Sequence, residues 1–187
     1  MITKNQWIAI AVMLLLITLI IIIQSYERRQ NYVQGVDPYG VVAYIHREEN
    51  EKEYYLNGHF TGLQWQCVEY ARRWMMLIKG VTFPSVDTAY DLWNINQATL
   101  LTDGTPYEFI NVLNQAPSHP PVGSLLIYRK TNEFPHGHVA VVVHVHSNHE
   151  VNIAEQNQSI ELWKKDYSRR IHANKEKDLI GWKILRK

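Results

Sequence analysis

A single cysteine, Cys67, stands in the 187 residues, so no internal disulfide framework is available. It leaves the redox compartment open, because an exported enzyme can also keep one free thiol. An excess of charge of one sign is lacking as well. Nineteen Lys and Arg stand against 18 Asp and Glu, a formal net charge of +1, and nothing marks the chain as a nucleic-acid binder. No internal repeat and no low-complexity segment follows the first 24 residues. What is present is apolar and aromatic. Hydrophobic residues make up 46% and aromatics 11%, enough to build a core and to argue against disorder. The length suits one globular domain with an added segment.

Residues 7–23, from Trp7 to Ile23, lack any charge, glycine or proline. Such a run of 17 reaches the lower end of the roughly 17–25 residues that cross a bilayer as a helix. A cleaved signal peptide would want a small-x-small site, and Gln24 to Arg29 offers none. A buried core helix would show a polar side. The expectation is a transmembrane anchor over 1–24, a juxtamembrane linker over 25–34, and one domain over 35–187. Lys4 and the α-amine precede the run, while Arg28 and Arg29 follow it, offset by Glu27, so the positive-inside count is close to a tie. A single-pass membrane location is expected, with the side of the domain open and a slight lean to the extracytoplasmic side.

Gly35 to Gly40 carries turn chemistry, and Val41 to Ile45 reads as a strand. His46 to Glu53 is a charged, solvated loop, and Asn57-Gly58 is a tight-turn signal. Past Cys67, apolar side chains at Ala71, Trp74, Met75 and Ile78 trace one face of a helix ending near Lys79-Gly80. Ser85 or Asp87 would cap a second helix through Thr88 to Trp93. Leu100 to Asn114 reads as irregular, and Ala116 to Pro121 as a rigid loop. The character then turns to β, with strands over Ser124 to Tyr128, His138 to His146, Val151 to Glu155 and Ile180 to Leu185. Helices followed by an antiparallel meander predict an α+β domain.

Cys67 falls in the first helical turn, where unpaired N–H groups and the positive end of the helix dipole favour a thiolate. Against that, a lone cysteine is more often a small buried hydrophobe. A nucleophile needs a base, and His138 opens the most apolar strand just after a loop, a place that gives both rigidity and access. Glu155 ends the next strand, where an antiparallel neighbour can bring its carboxylate beside the imidazole. Each also has a plainer reading, as a satisfied strand-end histidine and an exposed strand terminus. A metal competes for the histidines. His136 and His138 alternate, as do His144 and His146, but no ligand of fixed geometry completes either pair, and no metal is expected.

These residues carry a resemblance. Gln66-Cys67-Val68-Glu69-Tyr70-Ala71-Arg72-Arg73 resembles the nucleophile motif of the amidase domain of bifunctional glutathionylspermidine synthetase/amidase. That domain is one of the CHAP (cysteine-, histidine-dependent amidohydrolase/peptidase) group within the papain-like fold. Asp37 to Ala43, Gly123 to Ile127, Gly137-His138-Val139-Ala140, Ile153 to Asn157 and Ile180-Gly181-Trp182 follow in the family's order.

The resemblance implies a papain-like domain, with N-terminal helices packed on an antiparallel sheet, over residues 35–187. Cys67 is then the nucleophile, His138 the base and later the acid, and Glu155 the orienting carboxylate. Arg72 is the substrate-carboxylate contact, with Gln66 and Asn157 as further oxyanion or substrate contacts. No cofactor is implied. The substrate implied is a glutathione–polyamine conjugate, glutathionylspermidine, cut to glutathione and spermidine. No counterpart of the ATP-dependent synthetase half is seen, so hydrolysis alone is expected. The expected anchor departs from the family pattern. It brings in a peptidoglycan peptide as the alternative substrate, and a non-catalytic membrane-tethered binding module as a third reading.

Overall fold

A computed structural model describes residues 4–29, 32–47, 52–146 and 149–187. Two units, Met1–Tyr32 and Val33–Lys187, separate along the chain. The first contains α1, Lys4–Arg29. Among the described residues no helix is long and apolar enough to cross a membrane. The physical reason is length. An apolar run of 17 residues at 1.5 Å each rises about 25 Å, short of a hydrocarbon core of about 30 Å. The transmembrane anchor over 7–23, the membrane as a partner and the single-pass location are therefore corrected. The linker expected over 25–34 is helical to Arg29 and becomes a strand at Val33, with Gln30 and Asn31 outside the described residues.

The second unit opens with β1 (Val33–Val36) and β2 (Val42–Tyr44), an antiparallel pair around Asp37. This buried carboxylate collects four donors. Oδ1 accepts from the backbone N–H groups of Tyr39 and Val41, both at 2.9 Å. Oδ2 accepts from Tyr70 Oη at 3.1 Å and Trp74 Nε1 at 2.7 Å. Tyr70 and Trp74 lie on α2 (Cys67–Trp74), so one side chain clips the start of the unit to this helix.

Between them lies the hairpin of β3 (Glu53–Leu56) and β4 (His59–Leu63). Its turn residues Asn57 and Gly58 have φ of 50° and 82°, the paired positive angles that match strand twist in a two-residue hairpin. Part of the preceding charged loop, residues 48–51, lies outside the described residues, as does Asn148.

After α2 the chain widens into a π-type turn, Met75–Lys79, closed by Gly80 in the left-handed region at φ 67°. The remaining strands are β5 (Val81–Thr82), β6 (Gln97–Leu100), β7 (Pro106–Leu113), β8 (Leu125–Tyr128), β9 (His138–Val145), β10 (Glu150–Ala154), β11 (Arg169–His172) and β12 (Leu179–Arg186). They form one antiparallel sheet in the order β11-β10-β9-β8-β12-β7-β6-β5. The last strand inserts between β8 and β7 and interrupts the meander.

The α+β expectation of N-terminal helices packed on a sheet, preceded by a transmembrane helix, is therefore corrected to a mostly antiparallel sheet with few helices. The second expected helix is only a 3-10 turn, Ala89–Asn94. Thr88 and Asp91 close a capping box at its start, but Ile95 is already extended at φ −78° and ψ 120°. Leu100 to Asn114, expected to be irregular, contains the whole of β7 and the last residue of β6. Phe109 joins the core on the α2 side of the sheet and Val112 the core on the other, so no one-sided alternation shows in the sequence.

The same two-sidedness explains the apolar run of β9. Val139, Val141 and Val143 pack with Tyr70, Ala71, Trp74 and Met75 of the helical segment. Ala140 and Val142 pack with Val151, Ile153 and Trp182 on the opposite face. Each fully buried large apolar side chain contributes about 1.5–3 kcal/mol relative to exposure. The strand that carries His138 is thus among the firmest parts of the unit.

Candidate active site

Cys67 begins α2, directly after Gln66, whose backbone is still extended at φ −77° and ψ 160°. The thiol is buried and accepts hydrogen bonds from the backbone N–H groups of Val68 and Val139, one from the helix start and one from β9. His138 is the first residue of β9. Gly137 precedes it at φ 69°, where a Cβ would lie 2.7 Å from the Tyr128 carbonyl oxygen, so only glycine fits this entry to the strand. Glu155 directly follows β10, whose Ala154 pairs with Val141 of β9. The two strands thereby bring the carboxylate alongside the imidazole. His138 Nε2 lies 2.9 Å from Glu155 Oε2, with both side chains no more than 4% exposed. With Nε2 engaged by the carboxylate, Nδ1 is the ring nitrogen left for the thiol, with which His138 shares a hydrogen bond.

Burial pushes the Cys67 thiol up, but the His138 charge, its hydrogen bond and the two backbone N–H groups outweigh this, and the thiol lies below its ordinary value. Burial alone would lower His138; the Cys67 thiolate, and then Glu155, raise it to about 9. Burial alone would raise Glu155; His138 and Arg169 bring it down to about 2. The arrangement favours a thiolate–imidazolium pair backed by an ionised carboxylate, the chemical state required for nucleophilic attack on a carbonyl.

Two residues that complete this constellation escaped the sequence. Arg169 Nε donates to Glu155 Oε1 at 2.6 Å and Nη2 to Oε2 at 3.3 Å. Ser168 Oγ donates to Oε1 at 3.0 Å. The signal was the pair Arg169-Arg170 ahead of Ile171, the start of a short strand that reads as a surface charge cluster. Gln156 is a third such residue. Its side chain accepts from Tyr44 N at 2.7 Å and Arg73 Nη2 at 3.1 Å, and donates to Glu69 Oε2 at 3.1 Å and the Gln66 carbonyl at 3.3 Å. Arg73 in turn donates to both Glu69 oxygens. This buried network fixes the start of α2 against the segment that carries Glu155.

Cys67 and His138 line a cavity of about 510 Å³, together with Gln66, Arg72 and Asn157. Glu155 lies behind His138, outside that lining. The side-chain amides of Gln66 and Asn157 are hydrogen-bonded at 2.7 Å. Arg72 is deeply buried. Its Nη1 donates to the Thr61 carbonyl at 2.7 Å and its Nη2 to the Pro84 carbonyl at 3.0 Å, with the guanidinium 4.7 Å from the Phe83 ring centre. Two of five N–H donors are thus committed, while Nε has no hydrogen-bond partner among the described residues. Burial lowers this guanidinium to about 10. The loop before the 3-10 turn and the loop before β9 add two exposed carboxylates, Asp87 and Glu133, to the same lining. Of the other histidines, His136 reaches the cavity, whereas His144 and His146 pair with each other elsewhere on β9 and just past its end, ring centres 4.5 Å apart.

A family model described as the CHAP domain matches residues 57–157, a span that contains Cys67, His138 and Glu155. The bifunctional glutathionylspermidine synthetase/amidase of Escherichia coli (strain K12) is 36% identical over 104 residues, 55% of this chain and 17% of that protein. The glutathionylspermidine synthase of Crithidia fasciculata is 33% identical over 135 residues, 65% of this chain and 19% of its own length. Trypanothione synthetase from the same organism is 29% identical over 160 residues, 82% of this chain and 24% of its own length. The chain therefore spans between 17% and 24% of these relatives.

Proposed function

The chain belongs to the CHAP domain family, and from that premise we propose that this cysteine-dependent amidohydrolase cleaves glutathionylspermidine to glutathione and spermidine. The observation that carries the proposal is the lining of one cavity. The Cys67–His138 pair opens into a space that offers a buried guanidinium at Arg72 and the carboxylates of Asp87 and Glu133. Glutathione brings carboxylates and spermidine brings ammonium groups, so a conjugate of the two presents charges of both signs to this lining. The names of the relatives above support the same substrate.

In the proposed reaction the Cys67 thiolate attacks the glycyl carbonyl, and the carbonyl π electrons move to oxygen. Donors near the start of α2 face the resulting oxyanion. The His138 imidazolium gives its proton to the amine nitrogen as the C–N bond breaks, which leaves a thioester and free spermidine. Water, deprotonated by His138, then attacks the thioester and releases glutathione and the thiolate. Glu155 holds the imidazole throughout and stabilises its cationic form.

The test is release of spermidine from glutathionylspermidine by the purified full chain. Wild type is expected to release it and Cys67→Ala to release none. Asp87→Asn combined with Glu133→Gln is expected to raise KM about tenfold for this substrate, and to leave KM unchanged for a glutathione amide with an uncharged amine. A wild-type protein that leaves glutathionylspermidine intact while cleaving other amides through Cys67 would overturn the substrate and keep the chemistry.

A further inference from the structure

His46 lies outside the cavity lining, yet its imidazole touches the residue that precedes the nucleophile. The backbone N–H of Trp65 donates to His46 Nδ1 at 3.4 Å. A ring nitrogen that accepts a hydrogen bond carries no hydrogen, so the imidazole proton is on Nε2. That nitrogen lies 3.4 Å from Gln66 Nε2, while Asn157 Nδ2 donates to Gln66 Oε1 at 2.7 Å. In this orientation two donors face each other across the His46–Gln66 contact. A side-chain amide has two ends of nearly equal shape, and the hydrogen-bond network decides between them. Exchanging the ends of both amides satisfies every partner. His46 Nε2–H then donates to Gln66 Oε1, and Gln66 Nε2–H donates to Asn157 Oδ1. The second N–H of Gln66 is left for the cavity that Gln66 lines beside Cys67.

We propose that His46 is a positioning residue of the acyl-transfer site: its Nε2–H holds the Gln66 amide with the NH2 group toward Cys67, as a donor to the oxyanion. This rests on the acyl-transfer reading above and adds to it the group that sets the donor's orientation. The consequence is specific to tetrahedral species. Without the His46 donor, the Gln66 amide is free to turn its oxygen to the cavity, where a lone pair would repel the developing negative charge. A step that forms no oxyanion is indifferent to that turn, because the Cys67–His138 pair is held by other bonds.

The test compares two reactions of Cys67 in the full chain. N-acetylglycinal, an aldehyde, forms a tetrahedral thiohemiacetal with a reactive thiolate; iodoacetamide alkylates the thiolate without an oxyanion. His46→Ala is expected to weaken the aldehyde complex about tenfold and to lower kcat for spermidine release by a similar factor. KM, the rate of alkylation and the melting temperature should stay the same. His46→Gln, which keeps an N–H donor on a flexible side chain, is expected to recover part of the loss. On a Gln66→Ala background, His46→Ala should add less than a twofold effect.

Unchanged aldehyde affinity in His46→Ala, an equal loss of alkylation rate, or a full additive loss on the Gln66→Ala background would each overturn the proposal. The two probes need no spermidine conjugate, so a protein inactive on glutathionylspermidine would sink that substrate and leave this test standing.

Discussion

Glu155 shows most clearly what a single residue demands of its surroundings. It is a fully buried carboxylate with His138 on one oxygen, Ser168 on the other and Arg169 reaching both. Cys67, His138 and Glu155 were legible because each sits in a short motif at a helix start or a strand end. Arg169 was not, because its role follows from the register of β10 against β11. Arg169 pairs with Ile153, and Glu155 lies two residues on along the same face, as the diagonal neighbour within reach of a long side chain. No local pattern encodes that. Arg72 was legible as a cation near the nucleophile, whereas its two carbonyl partners and its place against Phe83 depend on loops distant in sequence. Arg169→Gln leaves Glu155 held by Ser168 and His138 alone. The expected result is a fall in kcat of about 10- to 100-fold with KM within twofold. Arg169→Lys should recover part of it, and Arg170→Gln, on the neighbouring residue, should change neither constant.

At the level of elements, the site is made by two beginnings and one end. α2 starts at Cys67, β9 starts at His138, and β10 ends beside Glu155. β8 and β9 were readable as strands from the unbroken apolar runs 125–128 and 139–143, and β10 and β12 from short apolar-rich stretches bounded by turn-like segments. β5 has only two residues, and β11 opens with two arginines, so neither carries a period to detect. The helix of Cys67 was readable from its apolar face, but its closing turn is of π type, which that spacing does not reveal. The entry to β9 depends on Gly137. The residue that follows the loop can only take up the strand if its predecessor tolerates a left-handed backbone pressed against the Tyr128 carbonyl and Tyr90. Gly137→Ala is expected to lower stability by about 1–3 kcal/mol and, by shifting His138, to lower kcat/KM at least tenfold. Thermal unfolding and steady-state kinetics on the same preparation check both. A stable variant with full activity would show that the loop absorbs the strain elsewhere.

For the molecule as a whole, local patterns, an apolar helical spacing after Cys67 and an uncharged run over residues 7–23, led toward helices first and a membrane, while the chain builds a sheet with an apolar core on each face. The error has a physical origin. The helix expected after Ser85 or Asp87 is capped instead by Thr88 with Asp91 and ends within one short turn, whereas the sheet collects strands separated by long stretches of chain, and β12 closes beside β8 and β7. Non-local pairing of this kind leaves little trace in any window of sequence. The same assembly ties stability to pH through the site. Glu155 has an ordinary value of 4.5 and is held at about 2 in the folded chain. A depressed carboxyl contributes stability that is fully present above 4.5 and is lost as pH falls through about 2. The shift corresponds to on the order of 3 kcal/mol. Denaturant unfolding followed between pH 6 and pH 2 should therefore show wild type losing stability steeply below about pH 4.5. Glu155→Gln should start less stable at pH 6, because Arg169 and His138 lose their charged partner, and then fall less over the same range. Parallel curves for the two proteins would mean that carboxylates other than Glu155 carry the acid sensitivity of the fold.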